Sequence, residues 1–473
     1  MNCPIFTQSR IQPHGPALTH DRHTWSYLDL HHLITNVTHD LESYHIGTGH
    51  KIVLLMPTCP EFIVLLGALF RLKSIAVLLN PKLGVQALTG ALSHIRPDYI
   101  LTVSPLAREI QSPTLLISDL TFSTSPSSDK DCDVSLHQIA TMIQTSGSTS
   151  HPKFAVHTLG NLWKNAEGSN QNIYVTPQSS WLLSLPCYHV SGLGIIWRCW
   201  LGGGKVVIPG SQKTLEETLL NDTITHVSLV QTQLYRLIQS AYRPDTLTAA
   251  LLGGSAFPDS LIKSGLDLGF PIFRSYGSTE MTSQITTSHS DDPVDKYFTS
   301  GRLLPNRELR IGNDNEILVR GDTLFKGYYL DNELISLSLD EGGWFRTGDL
   351  GSLDPEGYLH VVGRKDAMFI SGGENIHPEE IEEHLLKHPD ILQAIVVPVS
   401  SAEFGNRPVA IIQKCPDARS AFDGHAFLEG TLPTFKIPMA FFSWPEGMED
   451  LKPSRSDFRR FAQRLVDANK SKT

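Results

Sequence analysis

The chain has no Cys-x-x-Cys pair, no His-Glu-x-x-His and no apolar run long enough to cross a bilayer. Its six cysteines, Cys3, Cys59, Cys132, Cys187, Cys199 and Cys415, lie far apart, which points to free thiols in a reducing compartment and excludes a zinc knuckle. His31 and His32 are expected at the surface. The longest greasy run, "FIVLLGALF" from Phe62 to Phe70, is too short for a membrane span. The opening "MNCPIFTQSRIQPHGP" has no apolar core of signal-peptide length, and its prolines oppose a transit helix. A cytoplasmic protein is expected. Positive charge is also scarce: the formal net charge is -10 at pH 7, which opposes nonspecific binding to nucleic acid or an anionic membrane. Any anionic ligand must then be met by local positive charge. No internal repeat is visible.

What the sequence does hold is a large soluble core. At 473 residues, 40% hydrophobic and 19% charged, the chain is long enough for two or more domains. Short apolar runs at 51–56, 74–80, 98–103 and 204–210 alternate with helical patterns, so the class is α/β with a parallel sheet. The segment Pro60 to Lys73 opens with Pro-Glu and is apolar nearly all round, which predicts a buried helix. Past residue 310 the rhythm changes to short strands with Gly-rich turns. A helix is expected at about Pro378 to Lys387, then a strand in "AIVVPVS" and a basic end. The domain boundary is placed at Arg364 to Asp366, giving units 1–364 and 365–473.

Three segments carry chemistry. In "TMIQTSGSTSHPKFAVHT", Thr141 to Thr158, a strand leads into a run of Ser, Thr and Gly, which offers many donors with little bulk and so suits a phosphate. It is not the G-x-x-x-x-G-K-[ST] loop, since no glycine precedes Lys153 and Phe154 follows it. A flexible polar turn reads equally well. In "FRSYGSTEMTSQ", Phe273 to Gln284, a ring, a glycine, hydroxyls and a carboxylate could meet a base, a phosphate and a divalent cation; a hairpin tip capped by Thr279 and Glu280 is the plainer reading. Asp349, in a tight Thr-Gly-Asp turn, could accept both hydroxyls of a ribose or simply bond its own backbone. "SGGEN", Ser371 to Asn375, gives a bare backbone approach for something slender.

Together, "TSGSTSHPK", "YGSTE", "TGDLG", "GRKDAMFISGGENIHPEEIE" and the late "LKPSR", in this order over almost the whole chain, resemble the adenylate-forming superfamily of acyl-CoA synthetases, adenylation domains and luciferases. A narrower resemblance, to the o-succinylbenzoate-CoA ligases of menaquinone biosynthesis, rests on "SWLLSLPCYHVSGLGIIWRCWLGG", "SLVQTQLYRLIQ" and "AALLGGSAFP". The resemblance implies a large N-terminal domain of two α/β subdomains plus a β-barrel, hinged to a small C-terminal α+β domain. It implies a ligase that uses ATP, Mg²⁺ and CoA on a small-molecule carboxylic acid, with an acyl-adenylate between two half-reactions. A CoA ligase for another aryl or fatty acid, an adenylation domain loading a carrier protein, and a non-catalytic nucleotide- or acid-binding homologue are the alternatives.

The same resemblance distributes roles. Thr145, Ser146, Gly147, Ser148, Thr149 and Lys153 match the loop around the β and γ phosphates. Ser150 stands where the family usually has glycine, a departure that costs about 1 to 2 kcal/mol if the backbone there is left-handed. Thr279 and Glu280 match the α-phosphate and Mg²⁺ positions; Gly253, Gly254 and Tyr276 the adenine pocket; Asp349 and Arg364 the ribose ligands; Asp366 the hinge; and Gly372 and Gly373 the pantetheine channel. Lys452 matches the adenylation lysine, with Lys436 as competitor. His189, Ser191, Gly192 and Arg236 are the candidate acid-binding residues, Arg236 being the cation for a second carboxylate. The alternatives are a satisfied core histidine and a helix-surface arginine.

Overall fold

In the strand Lys51–Leu55 every residue after the lysine is buried, and it pairs in parallel with Ile75–Leu78 on one side and Tyr99–Thr102 on the other. Such runs need apolar cover on both faces. The helix Pro60–Arg71 supplies part of it, with proline in its first turn and Phe62 to Phe70 buried without a break. The computed structural model describes the chain except residues 106–109, 111, 127–132, 146–152, 211–212, 222, 241, 255–256, 402–403, 416–417, 419–421, 447–454 and 471–473. Ile139–Thr145 and, at the far edge, Thr114–Leu116 continue the parallel pairing, and Lys153–Thr158, Gly327–Leu330 and Glu333–Ser336 extend it antiparallel to make eight strands.

A second, nine-stranded sheet is parallel from Pro16–His20 through Lys205–Ile208, Ser180–Leu182, His226–Leu229 and Ala249–Leu252 to Ile272–Ser278. Antiparallel strands close both its ends. One core joins the two sheets through Leu18, Leu54, Leu65, Ile143, Trp181 and Trp197. Arg307–Ile311, Glu316–Gly321, Phe345–Leu353 and Leu359–Arg364 form a four-stranded antiparallel sheet, which a bridge from Arg302 to Tyr358 ties to the edge of the nine-stranded one.

The strand Leu359–Arg364 is the last of that sheet, and Phe369–Ser371 already belongs to another. There Ile391–Ser401 and Gly405–Lys414 carry two cores by alternation, Val396 and Ala410 packing towards the helix Pro378–Leu385, and Val397 and Val409 towards the helix Arg455–Lys470. The architecture is thus a large N-terminal α/β domain followed by a small C-terminal α+β domain. No described helix is long and apolar enough to cross a membrane.

Two expectations are corrected. His31 is 2% exposed and accepts from the Arg71 guanidinium at 2.8 Å, while His32 is half-buried against Thr124 O. The Thr-Gly-Asp segment lies inside the strand Phe345–Leu353, in which Gly348 takes φ +75° and the register against Glu316–Gly321 shifts between the pairs Leu318 with Arg346 and Glu316 with Leu350. A bulge, not a turn, aims Asp349.

Candidate active site

The two strands that flank the hydroxyl-rich loop pair antiparallel, with Thr145 opposite Lys153 and its hydroxyl donating to Lys153 O at 3.3 Å. Ser146, Gly147, Ser148, Thr149 and Ser150 lie outside the described residues. Lys153 sets its ammonium 5.7 Å from the Tyr328 ring centroid, within cation-π range.

The "YGSTEMTSQ" segment is a hairpin: Ile272–Ser278 returns as Ser283–Thr287, with Thr279 and Glu280 in the tip. The backbone here is the hairpin of the plainer reading. The tip is strained, since Thr282 sits at φ +63° and Ser283 at φ +135°, where a branched side chain is a true outlier. A Cβ at Gly277 would lie 1.9 Å from Ser283 O, which explains the glycine after Tyr276. Long-range bonds hold the tip: His157 Nε2 to Thr279 O at 2.7 Å, Phe325 N to Glu280 O at 2.8 Å, Thr282 Oγ1 to Thr323 O at 2.7 Å, and Tyr328 OH to Glu280 Oε1 at 2.7 Å.

His157 escaped the sequence reading, and its only signal there is a polar residue in the apolar run "FAVHT". It is fully buried, and burial pushes its pKa down to about 4. The neutral ring donates from Nε2 to the tip and accepts at Nδ1 from Thr141 Oγ1 at 3.3 Å. His226, 3% exposed, is pushed down to about 4 for the same reason. Folded pKa values below the unfolded 6.5 mean that the unfolded chain takes up protons first as pH falls. Stability present above pH 6.5 is lost towards pH 4, at about 1.4 kcal/mol per pH unit for each histidine. Asp349 and Glu379, both raised mainly by burial, offset part of that slope. Calorimetry is expected to show Tm falling steadily over this window, more gently in the His157→Gln, His226→Gln double variant; a level Tm in the wild type contradicts the assignment.

Asp349 stands opposite Arg364 on the neighbouring strand. Its Oδ2 accepts from Tyr276 OH at 2.5 Å and its Oδ1 from Arg364 NH1 at 3.1 Å. Two lone-pair positions remain, enough for a vicinal diol. Arg364 also grips Asp366 with Nε to Oδ1 at 2.9 Å and NH2 to Oδ2 at 3.1 Å. Gly253 and Gly254 follow the strand Ala249–Leu252, next to the strand of Tyr276. Gly253, Gly254 and Tyr276 follow the carboxyl ends of parallel strand pairing, where open α/β sheets place ligands, and the bond from Tyr276 joins Asp349 of the antiparallel sheet to them.

On the acid side His189 caps the helix Val190–Gly202, which carries Ser191 and Gly192. A Cβ at Gly192 would lie 2.3 Å from Pro186 O, so close packing already demands that glycine. Arg236 is exposed on Gln231–Gln239, whose buried residues are Leu234 and Leu237. The buried cation is instead Arg198, 1% exposed, with its guanidinium 5.2 Å from the Trp181 ring centroid and NH2 3.4 Å from Ser283 Oγ. Its Nε and NH1 have no hydrogen-bond partner, and burial lowers its pKa to about 10. Arg307, also buried, differs in donating to three backbone carbonyls, those of Gln284, Pro305 and Asn165. Arg198 was missed because an arginine in "GIIWRCW" shows its isolation only when folded.

In the small domain Gly372 and Gly373, at φ +58° and +90°, form the turn between Phe369–Ser371 and Glu374–Ile376, a conformation that favours glycine. Lys436 donates to both oxygens of Glu380 at 2.7 and 2.6 Å. Lys452 lies outside the described residues. Arg455 bonds Glu379 at 3.0 Å and Glu382 at 2.5 Å. Cys187 is buried and its thiol pushed up to about 12 by burial, inert at neutral pH.

Among the described residues no three His, Cys, Asp or Glu side chains group as a metal cage. The lone Glu280 fits Mg²⁺ nonetheless, because that ion is typically held by one or two carboxylates plus substrate phosphates.

The family model of AMP-binding enzymes matches residues 5–329. The 2-succinylbenzoate–CoA ligase of Bacillus velezensis is 32% identical over 454 residues, covering 93% of each chain. The o-succinylbenzoate CoA synthetase (MenE) of Bacillus subtilis, in complex with the acyl-adenylate intermediate OSB-AMP, superposes with TM-score 0.87 at 28% identity, over 97% of this chain and 98% of that one. The same synthetase with ATP and magnesium ion gives 0.83 at 29% identity, over 94% and 96%.

Proposed function

Because the chain belongs to the AMP-binding enzymes and, within them, to the 2-succinylbenzoate–CoA ligases, we propose that it joins o-succinylbenzoate to CoA, with an acyl-adenylate between two half-reactions, in menaquinone biosynthesis in the cytoplasm. The observation that supports it best is the convergence of the Thr279–Glu280 tip, Gly253–Gly254 and Asp349, with the buried guanidinium of Arg198, whose Nε and NH1 are unpaired, bonded to Ser283 of the same hairpin.

In the first half-reaction a carboxylate oxygen of the acid attacks the α-phosphorus of ATP, the bond to the bridging oxygen breaks, and pyrophosphate leaves. In the second the sulfur of CoA attacks the acyl carbon, AMP departs and the thiol proton is released. Mg²⁺ supplies charge neutralisation on the phosphates. Glu280 holds it, Thr279 meets the α-phosphate, and Thr145 to Thr149 with Lys153 take the β and γ phosphates. Gly253, Gly254 and Tyr276 seat the base, and Asp349 with Arg364 the ribose. Lys452 stabilises the charge that builds up in the adenylation transition state.

The chain divides into 1–364 and 365–473, with Asp366 as the pivot. The fork from Arg364 to Asp366 supports this, since it ties the ribose ligand to the first residues of the small domain. Rotation brings Gly372 and Gly373 to the pantetheine arm and removes Lys452. For the acid, His189, Ser191 and Gly192 line the entry. The second carboxylate is met by Arg198: the donors that it leaves unpaired in the buried site outweigh the claim of the exposed Arg236.

AMP release with ATP, Mg²⁺, CoA and a panel of acids tests this reading. O-succinylbenzoate is expected to support turnover while benzoate and a medium-chain fatty acid do not. Preference for either of those acids contradicts the assignment.

A further inference from the structure

Tyr328 has no part in the reactions as described, yet it touches both halves of the triphosphate site. Its strand, Gly327–Leu330, pairs antiparallel with Lys153–Thr158, with Tyr328 opposite Ala155. Its hydroxyl donates to Glu280 Oε1 at 2.7 Å, and its ring centroid lies 5.7 Å from the Lys153 ammonium. The side chain is held in turn: Phe325 packs edge-on against it at 4.9 Å, and Phe325 N donates to Glu280 O at 2.8 Å. One short segment, 325–328, therefore grips Glu280 by its carbonyl and by its carboxylate.

We infer that Tyr328 is a positioning residue for metal and pyrophosphate binding, its hydroxyl fixing the Glu280 carboxylate and its ring placing Lys153. This rests on the function proposed above. A glutamate side chain has several rotors, and ordering them at the moment of metal binding costs entropy that a preformed hydrogen bond has already offset. A carboxylate has two oxygens, so one bound to the phenol leaves the other for the cation. Partners that hydrogen-bond a metal-ligating group typically account for 10- to 100-fold in metal affinity. Lys153 follows the phosphate loop directly, and a ring under its ammonium restricts where the charge can sit without neutralising it.

The test uses Tyr328→Phe, which removes only the hydroxyl and keeps the ring against Phe325 and Lys153. Mn²⁺ binding to the enzyme–ATP complex, followed by electron paramagnetic resonance without any acid present, is expected to weaken about 10-fold. The Mg²⁺ concentration for half-maximal ATP–pyrophosphate exchange should rise in step. Thioester formation from supplied acyl-adenylate, which needs neither metal nor Lys153, should keep its rate. Tyr328→Leu, which also removes the ring, should add a rise in KM for ATP. Mn²⁺ affinity in Tyr328→Phe that equals or exceeds that of the wild type overturns the inference, as does equal loss of both half-reactions. If the wild type binds Mn²⁺–ATP but adenylates no o-succinylbenzoate, the substrate assignment fails while the role of Tyr328 is still read from the Mn²⁺ titration.

Discussion

Replacing Lys452 by alanine is expected to abolish acyl-adenylate formation and to spare the second half-reaction. The adenylation transition state spreads extra negative charge over the α-phosphate, and a preorganised cation there is worth about 3 kcal/mol, or a hundredfold or more in rate. Attack of the CoA thiol needs no such cation, since the leaving group is an already formed AMP. ATP–pyrophosphate exchange should therefore fall at least about a hundredfold, while conversion of supplied acyl-adenylate to thioester stays near the wild-type rate. Lys436→Ala is the matched control. Its ammonium is already engaged by both oxygens of Glu380, so its loss should leave the ratio of the two half-reactions unchanged. Equal loss of both steps in Lys452→Ala, or selective loss of adenylation in Lys436→Ala, contradicts the assignment.

Replacing Arg198 by methionine should cost about 30- to 5000-fold in kcat/KM for o-succinylbenzoate, the range for removing one partner of a buried hydrogen-bonded charge pair. Arg236→Ala should stay within about fivefold, since an exposed ion pair contributes under 1 kcal/mol. The stability readout separates binding from folding. A guanidinium that holds the fold together lowers Tm when removed. One buried without a carboxylate partner costs desolvation that one long bond and a ring contact only partly offset, and a similarly sized apolar residue is neutral or stabilising there. Arg198→Met is thus expected to keep or raise Tm while losing the diacid. A large fall in Tm with unchanged kcat/KM contradicts that role.

Much of the fold was legible because burial leaves a direct imprint on composition. Lys51–Leu55, Ile75–Leu78 and Tyr99–Thr102 announce themselves as apolar runs, and Pro60–Arg71 as a helix apolar on every side. The site motifs were legible because their small residues and glycines answer local demands, such as the close approach at Gly277 and the turn at Gly372–Gly373. What remained hidden depends on partners far along the chain. His157 meets Thr279 across 122 residues, and Arg198 meets Ser283 across 85. A histidine or arginine in an apolar run reads as a satisfied core residue until its neighbours are known. The backbone around Asp349 was misread as a turn for a related reason, because a strand bulge and a turn share the same Gly-Asp chemistry.

The central claim is met most directly by mass spectrometry of the product formed from o-succinylbenzoate, ATP, Mg²⁺ and CoA. The account predicts the o-succinylbenzoyl-CoA thioester together with equimolar AMP and pyrophosphate. ADP and phosphate in place of AMP and pyrophosphate, or AMP formed with no thioester, would contradict it.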